Sequence, residues 1–306
     1  MAVSEFELIA RYFSGVGDSS DVAVSTGDDC AIMRVLPDER MVISVDTAVE
    51  SVHFLPDTDP KDLAWRAVAV AASDLAAMGA RPLGMTIALT LPEADENWLA
   101  AFSQGLRSVS EALCLPLVGG DTTRGFLTVT VHVLGAVPSS KALLRSGAQP
   151  GDRVVVSGYL GDGAGALAMM TGNWHVDVPY RDYLQQRFLR PQPRLELGRQ
   201  ILDSATSAID ISDGLLADAG HICRASAVGM ILDKEALPLS EALTTHSHKA
   251  QVLQWALTGG DDYELCFTLP AHVPVPEACT VIGEVVAGDS VICEGAEDVR
   301  PGYQHF

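Results

Sequence analysis

The sequence predicts an α/β or α+β protein of two domains, and three observations carry that prediction. Strand-like and helix-like segments alternate along the chain. A connector rich in Pro, Ser and Gly, "PSSKALLRSGAQPGD", interrupts them near residues 138–150. The 306 residues, 48% of them hydrophobic, are enough for two cores.

The elements follow in order. "MAVSEFELIARYF" has helical periodicity and acidic residues rather than the basic start and apolar core of a signal peptide. "RMVISVDTAV" is short and β-branched, hence a strand, and "DPKDLAWRAVAVAASDLAAMGA" opens on Asp-Pro and runs on in Ala, hence a helix. "PLGMTIALTL" reads as a strand, "ADENWLAAFSQGLRSVSEALC" as a helix and "LTVTVHVLGAV" as a strand, which closes a first domain at 1–138. The second domain, 150–306, begins with the strand "RVVVSG" and the glycine-rich turn and helix "YLGDGAGALAMM". Helices near 193–203, 213–226 and 248–257 and strands near 207–211, 229–232, 262–269 and 279–286 complete it.

Charge and cysteine usage narrow the function. Lys and Arg number 20 against 40 Asp and Glu, a net charge of −20 that repels nucleic acid and anionic membranes. The longest apolar stretch, Leu63–Ala80, is broken by Arg66 and Asp74 and cannot span a bilayer. Six scattered cysteines without a CxxC pair read as buried or half-buried free thiols in a reducing, cytoplasmic compartment.

The acids themselves are patterned. "TGDDC", "ISVDT", "VGGDTTR", "AIDISDG" and "TGGDDYE" each set Asp beside Gly, Ser or Thr, and Asp74 interrupts an apolar helix. Taken singly, such runs serve turns and helix caps more often than chemistry. Asp46, ending a β-branched run, and Asp74 resist that reading, because an unpaired carboxylate there shifts its pKa or destabilises the fold. Together the acids are what Mg²⁺ requires: oxygen ligands that bridge the metal to substrate phosphates. No Walker A, HRD or DFG signature is present. "GYLGDGAGAL" is either a phosphate cradle or a tight strand-to-helix turn, and Arg145 either a phosphate clamp or an ordinary surface arginine.

Read in order, "EFELIARYF", "GDDCA", "SVDTAVESVHF", "SDLAAMGARP", "GGDTTRG", "ISDGL", "GGDDYELCFT" and "GYQHF" resemble the thiamine-monophosphate kinase family. It belongs to the superfamily that includes aminoimidazole ribonucleotide synthetase. The resemblance implies that two-domain fold, a homodimer whose N-terminal domains pair their sheets, and ATP-dependent phosphorylation of thiamine monophosphate to thiamine diphosphate. It implies ligation of several Mg²⁺ ions by Asp29, Ser44, the Val45 carbonyl, Asp46, Asp74, Asp121, Asp210 and Asp213. ATP contacts fall on Gly120, Asp121, Arg145 and Ser212, and acceptor contacts on His53, Asp261 and Tyr303. Asp46, Asp121, Arg145 and Asp213 would carry the catalysis. The first domain would bind ATP and Mg²⁺ and dimerise, and the second would complete the site.

This chain departs from the family pattern at three places: Val45 replaces a hydroxyl residue, Asp261 a longer Glu, and Ser103 an aromatic residue. A sister enzyme acting on an aminoimidazole or formylglycinamide ribonucleotide, and a non-catalytic nucleotide-binding relative, remain as alternatives. The complete set of acids argues against the second.

Overall fold

The computed structural model describes residues 5–293 and 295–296. Its contacts divide the chain into two units, residues up to Leu75 with Ala80–Ser140, and Ala76–Gly79 with Lys141 onward. The first part of the chain forms α1 (Glu5–Tyr12), β1 (Val22–Val24), β2 (Ile32–Met33), β3 (Glu39–Val49), α2 (Pro60–Ala77), β4 (Arg81–Leu91), α3 (Glu96–Leu113), β5 (Leu117–Arg124) and β6 (Thr128–Pro138).

A four-stranded sheet, in the order β3-β6-β4-β5, organises the first unit, and β1 and β2 form a separate ribbon. Only β4 and β5 run parallel; the other pairs are antiparallel. Alternation decides the sheet's faces: Met85, Ile87, Leu89, Val129, Val131 and Val133 are buried, whereas Thr86, Ala88, Thr90 and His132 between them are more open. Helix α2 is apolar nearly all round, and Leu63, Ala64, Val68, Ala71, Ala72 and Leu75 are accordingly buried. Helix α3 buries Leu99, Phe102, Leu106, Val109 and Leu113 along one stripe. Its N-terminus is capped by Asp95, which accepts from the Asn97 and Trp98 N–H groups at 2.8 and 3.3 Å, an arrangement typically worth ~1 kcal/mol.

The second unit contains β7 (Arg153–Ser157), α4 (Asp162–Met170), α5 (Tyr180–Leu189), α6 (Leu195–Ile201), β8 (Ser207–Asp210), α7 (Leu215–Ser226), β9 (Gly229–Leu232), α8 (Glu241–His246), α9 (Lys249–Thr258), β10 (Leu265–Leu269), β11 (Cys279–Val286) and β12 (Val291–Cys293). Its sheet runs β12-β9-β11-β7-β10-β8, and of these pairs only β12–β9 is parallel. Val154, Val156, Ile209, Met230 and Cys266 pack on one face with Leu215, Ile222 and Leu257 from α7 and α9. Val155, Ala208, Leu265 and Phe267 pack on the other with Ile201 of α6. Burial on both sides is why these strands read as unbroken apolar runs. The predominance of antiparallel pairing puts the fold on the α+β side of the predicted class.

Several elements lie outside the sequence prediction. Strand β5 contains Gly119 and Gly120, poor strand formers that pair because β4 lies alongside. Helix α5 has only Leu184, Phe188 and Leu189 buried, too few for a clear stripe. The ribbon strands, β12 and α8 are too short to show a period. Strand β10 starts at Leu265 rather than 262, because Asp261–Glu264 forms a loop. All six cysteines are free, but Cys30 and Cys114 are exposed, contrary to the expectation that every thiol is at least half-buried. Among the described residues no helix is long and apolar enough to cross a membrane.

A charged network lies within the second unit. Glu264 is wholly buried; Arg194 donates to it through Nε at 2.6 Å and also through Nη2, and Arg187 Nη2 lies 3.1 Å away. The Ser157 hydroxyl also donates to it at 2.5 Å. Removing one partner leaves the others charged and out of water. Glu264→Ala should therefore destabilise the protein by about 3 kcal/mol or more, read as a lower urea midpoint, with double substitution of Glu264 and Arg194 costing less than the sum of the singles.

Candidate active site

In the first unit β3 and α2 bring two acids together. Ser44 and Asp46 alternate with the exposed Ile43 and Val45, so both turn inward on β3. Asp74 lies in α2, and the Ser44 hydroxyl donates to its carboxylate. Asp46 is raised to about 6, first by burial and then by the Asp74 charge. Neither cause is opposed by a hydrogen-bond donor from the described residues.

The other predicted residues of this unit are placed differently. Asp28 closes its own turn, accepting from the Asp29 N–H at 2.9 Å, and Asp29 is exposed in the loop between β1 and β2. His53 Nδ1 accepts from the Val49 N–H at 3.0 Å, which ties the imidazole to the end of β3. Asp121 is exposed on β5, opposite Ala88 of β4. Strands β3 and β5 are the two edges of the sheet. Three interstrand steps therefore separate Asp46 from Asp121, roughly 14 Å. Gly120 has a packing reason of its own: a Cβ there would lie 2.1 Å from the Ile87 carbonyl oxygen. Ser103 is buried in α3 and donates to the Tyr12 carbonyl at 2.6 Å, so it ties α3 to α1.

In the second unit two motifs far apart in sequence are zipped together. The Asp261 N–H donates to the Ser212 carbonyl at 3.0 Å, Tyr263 N–H to Ile211 at 2.9 Å, and Ile211 N–H to Glu264 at 2.8 Å. Gly260 permits this approach, since a Cβ there would lie 2.2 Å from the Ser212 oxygen. Asp210, at the end of β8, and Ser212, Asp213 and Asp261, on the two paired loops that follow β8 and precede β10, are thus brought together. Asp218, from the first turn of α7, accepts from the N–H groups of Ser212, Asp213 and Gly214 at 3.1, 3.0 and 3.1 Å. Burial raises its carboxyl to about 7, against the pull of those donors. Arg145 is exposed, and its carbonyl accepts from the Ser226 hydroxyl, which pins the connector to the end of α7. Tyr303 lies outside the described residues.

The glycine-rich turn before α4 proves to be filled from within. Asp262 accepts from the Gly161 N–H at 2.7 Å and the Gly163 N–H at 3.2 Å. Burial raises Asp262 to about 8, while those N–H groups and Arg187 oppose the shift. The phosphate-cradle reading of "GYLGDGAGAL" is therefore corrected: a carboxylate of the chain itself holds those amides. Asp218 and Asp262 were missed as anchors because each meets its partners only after folding; "SDGLLAD" carried the one local signal, an acid in the first turn of a helix.

Mg²⁺ suits Asp46 and Asp74. Two adjoining carboxylates, one of them pushed up by desolvation, have no counter-charge among the described residues, and a hard divalent cation would supply one. Among the described residues no group of three or more His, Cys, Asp or Glu is placed to hold a metal ion. That does not count against Mg²⁺, which takes one or two protein carboxylates and completes its shell with waters and substrate phosphates.

Comparison with known proteins agrees with this architecture. The N-terminal domain family of AIR synthase related proteins matches residues 27–137, and the C-terminal domain family matches residues 149–295. The fold and the paired acids thus define a two-domain AIR synthase related protein. The thiamine-monophosphate kinase of Escherichia coli (strain K12) is 47% identical, over 100% of this chain and 99% of that protein. The chain belongs to the thiamine-monophosphate kinase family. The crystal structure of that kinase from Stenotrophomonas maltophilia K279a superposes with a TM-score of 0.87 at 40% identity, covering 96% of this chain and 98% of the other. The complex of AaThiL with AMPPCP and TMP superposes at 0.83 with 33% identity, over 89% of both chains.

The raised Asp46 makes a signed prediction. The folded protein holds this proton more tightly than the unfolded chain, so ionising Asp46 costs stability. The cost is absent below about pH 4, grows as pH rises, and is complete above about pH 6. In metal-free protein Asp46→Asn should therefore match the unaltered chain at pH 4 and melt at a higher temperature at pH 7.5. Added Mg²⁺ should raise the Tm of the unaltered protein but not of Asp46→Asn or Asp74→Asn. Both variants should lose turnover while staying folded; normal activity in either would remove these two acids from the metal site.

Proposed function

We propose that this protein transfers the γ-phosphoryl group of ATP to thiamine monophosphate, giving thiamine diphosphate and ADP. The observation that supports this most is the 47% identity, end to end, to the E. coli thiamine-monophosphate kinase. The complex of AaThiL with AMPPCP and TMP supports the same pair of substrates.

The chemistry asks for charge management more than for a base. The acceptor is a phosphate monoester, already ionised near neutral pH, so the nucleophile needs no strong deprotonation. The barrier is repulsion between two anions: about 4 kcal/mol for each unit-charge pair at ~4 Å and an effective dielectric of ~20. Mg²⁺, when bound, would supply the positive charge that offsets that repulsion. Asp46 and Asp74, with Ser44 holding Asp74, would hold one of several ions in the first unit, with Asp29, Ser44 and the Val45 carbonyl as further ligands, while Asp121, on the opposite edge of the sheet, would serve a different ion. In the second unit Asp210 and Asp213 would ligate metal and Arg145 would clamp a nucleotide phosphate, while Ser212, and Gly120 and Asp121 in the first unit, would contact the nucleotide. Arg145 is free of any ion pair with an acid among the described residues, which suits a phosphate clamp. His53, Asp261 and Tyr303 contact the acceptor. Transfer is direct and in line, with positioning and electrostatics supplying the catalysis.

The functional assembly is a homodimer. β3 is an edge strand of 11 residues that exposes Met41, Ile43 and Val45 by 48, 60 and 51%. A long apolar edge needs cover in water, and a second copy of this sheet supplies it.

Two measurements test the proposal. Incubation with Mg-ATP and each acceptor, with products separated by chromatography, should show turnover of thiamine monophosphate and none of free thiamine, whose neutral hydroxyl brings no charge for the metals. Turnover only with an imidazole ribonucleotide would assign the chain to a sister reaction, and none with any acceptor would make it a binding protein. Sedimentation equilibrium at micromolar protein should give about twice the 32.4 kDa chain mass, and Ile43→Asp should lower it to that of one chain. A fully active monomer would overturn the dimer.

A further inference from the structure

We propose that Tyr263 is a positioning residue for acceptor recognition, its hydroxyl fixing the orientation of the Asp261 carboxylate. The inference rests on the assignment of Asp261 to the acceptor. The Tyr263 hydroxyl donates to Asp261 Oδ1 at 2.9 Å, across only two residues of chain. Both residues have positive φ, +67° for Asp261 and +50° for Tyr263. Aspartate visits that region with some ease, but a bulky aromatic residue there is an outlier. Such a conformation persists only where its surroundings over-determine it.

The surroundings do so from several directions. Backbone bonds from Asp261 and Tyr263 to Ser212 and Ile211 hold the loop from one side. The intervening Asp262 is held by the Gly161 and Gly163 amides, and the following Glu264 by two arginines. The Tyr263 ring itself is buried, at 6% exposure. Acids 262 and 264 are therefore fully buried anchors, whereas Asp261 between Gly260 and Asp262 is only half-buried. The loop holds a strained backbone rigid, and its product is one oriented, accessible carboxylate.

The choice of donor is the informative part. Glu264 is held by guanidinium groups, which cancel its charge as they orient it. A phenol orients Asp261 without bringing a positive charge of its own. An acceptor that carries a cationic thiazolium and an amine-bearing pyrimidine needs a carboxylate that is both fixed and still charged. A neutral hydroxyl meets both requirements, and it also satisfies the buried phenol.

The test is a double-mutant cycle read on binding and on kinetics. Tyr263→Phe keeps the ring and removes only the hydroxyl, and Asp261→Asn keeps a side chain that tolerates positive φ. Calorimetric titration with thiamine monophosphate, without ATP, gives affinity, and steady-state assays give KM for each substrate. Tyr263→Phe should weaken thiamine monophosphate binding and raise its KM about tenfold. Its kcat and its KM for ATP should stay within about twofold, with Tm nearly unchanged. In the Asp261→Asn background the same change should cost nothing further. An equal loss in both backgrounds would show that Tyr263 acts independently of Asp261 and overturn the inference. So would unaltered binding in Tyr263→Phe when Asp261→Asn is weakened. Unaltered binding in Asp261→Asn would instead overturn the acceptor assignment beneath it.

Discussion

A carboxylate withdrawn from water must find donors or a counter-charge, and most of the second unit is arranged around that demand. Glu264 meets it with two arginines and a serine hydroxyl. Asp162, also buried, meets it with the Tyr183 and Ser240 hydroxyls at 2.5 and 2.6 Å. Asp262 takes two backbone amides before α4, and Asp218 takes three before α7. Each of these acids ties a loop to a helix start or to a strand. Together they hold the end of β8 at Asp210 and the two loops that carry Ser212, Asp213 and Asp261.

The first unit shows the opposite case. Asp46 is partly withdrawn from water beside Asp74, and among the described residues nothing donates to it. A protein does not leave such a group uncompensated without reason, because its ionisation costs stability. The two cases separate acids with donors of their own from one without, in a chain whose net charge is −20. Asp162, Asp218, Asp262 and Glu264 carry their donors with them, whereas Asp46, proposed above as a metal ligand, has none among the described residues.

This distinction also bears on where the chain departs from its family's pattern. Ser103, where the resemblance leads one to expect an aromatic residue, is buried and bonded to Tyr12, so its contribution lies in the tie between α3 and α1. Val45 has no hydroxyl, but its side chain is on the exposed face of β3, where an apolar residue adds to the edge that a second copy would cover. Asp261 is a shorter arm than Glu, and the Tyr263 bond gives that shorter arm a definite direction.

The sequence alone determined the fold class and the family, because alternating periodicity and the ordered motifs are local properties that survive in one dimension. It also picked out Asp46 and Asp74, since an acid at an apolar position breaks a local pattern. Tertiary structure decided the rest. Strand β5 and helix α5 owe their existence to partners rather than to propensity. Whether "GYLGDGAGAL" held a phosphate or a carboxylate depended on Asp262, about a hundred residues further on. The anchoring by Asp218, Asp262 and Glu264 was illegible for the same reason. A hydrogen bond between distant segments leaves no period in the sequence, and an acid that will be satisfied looks the same there as one that will wait for a metal.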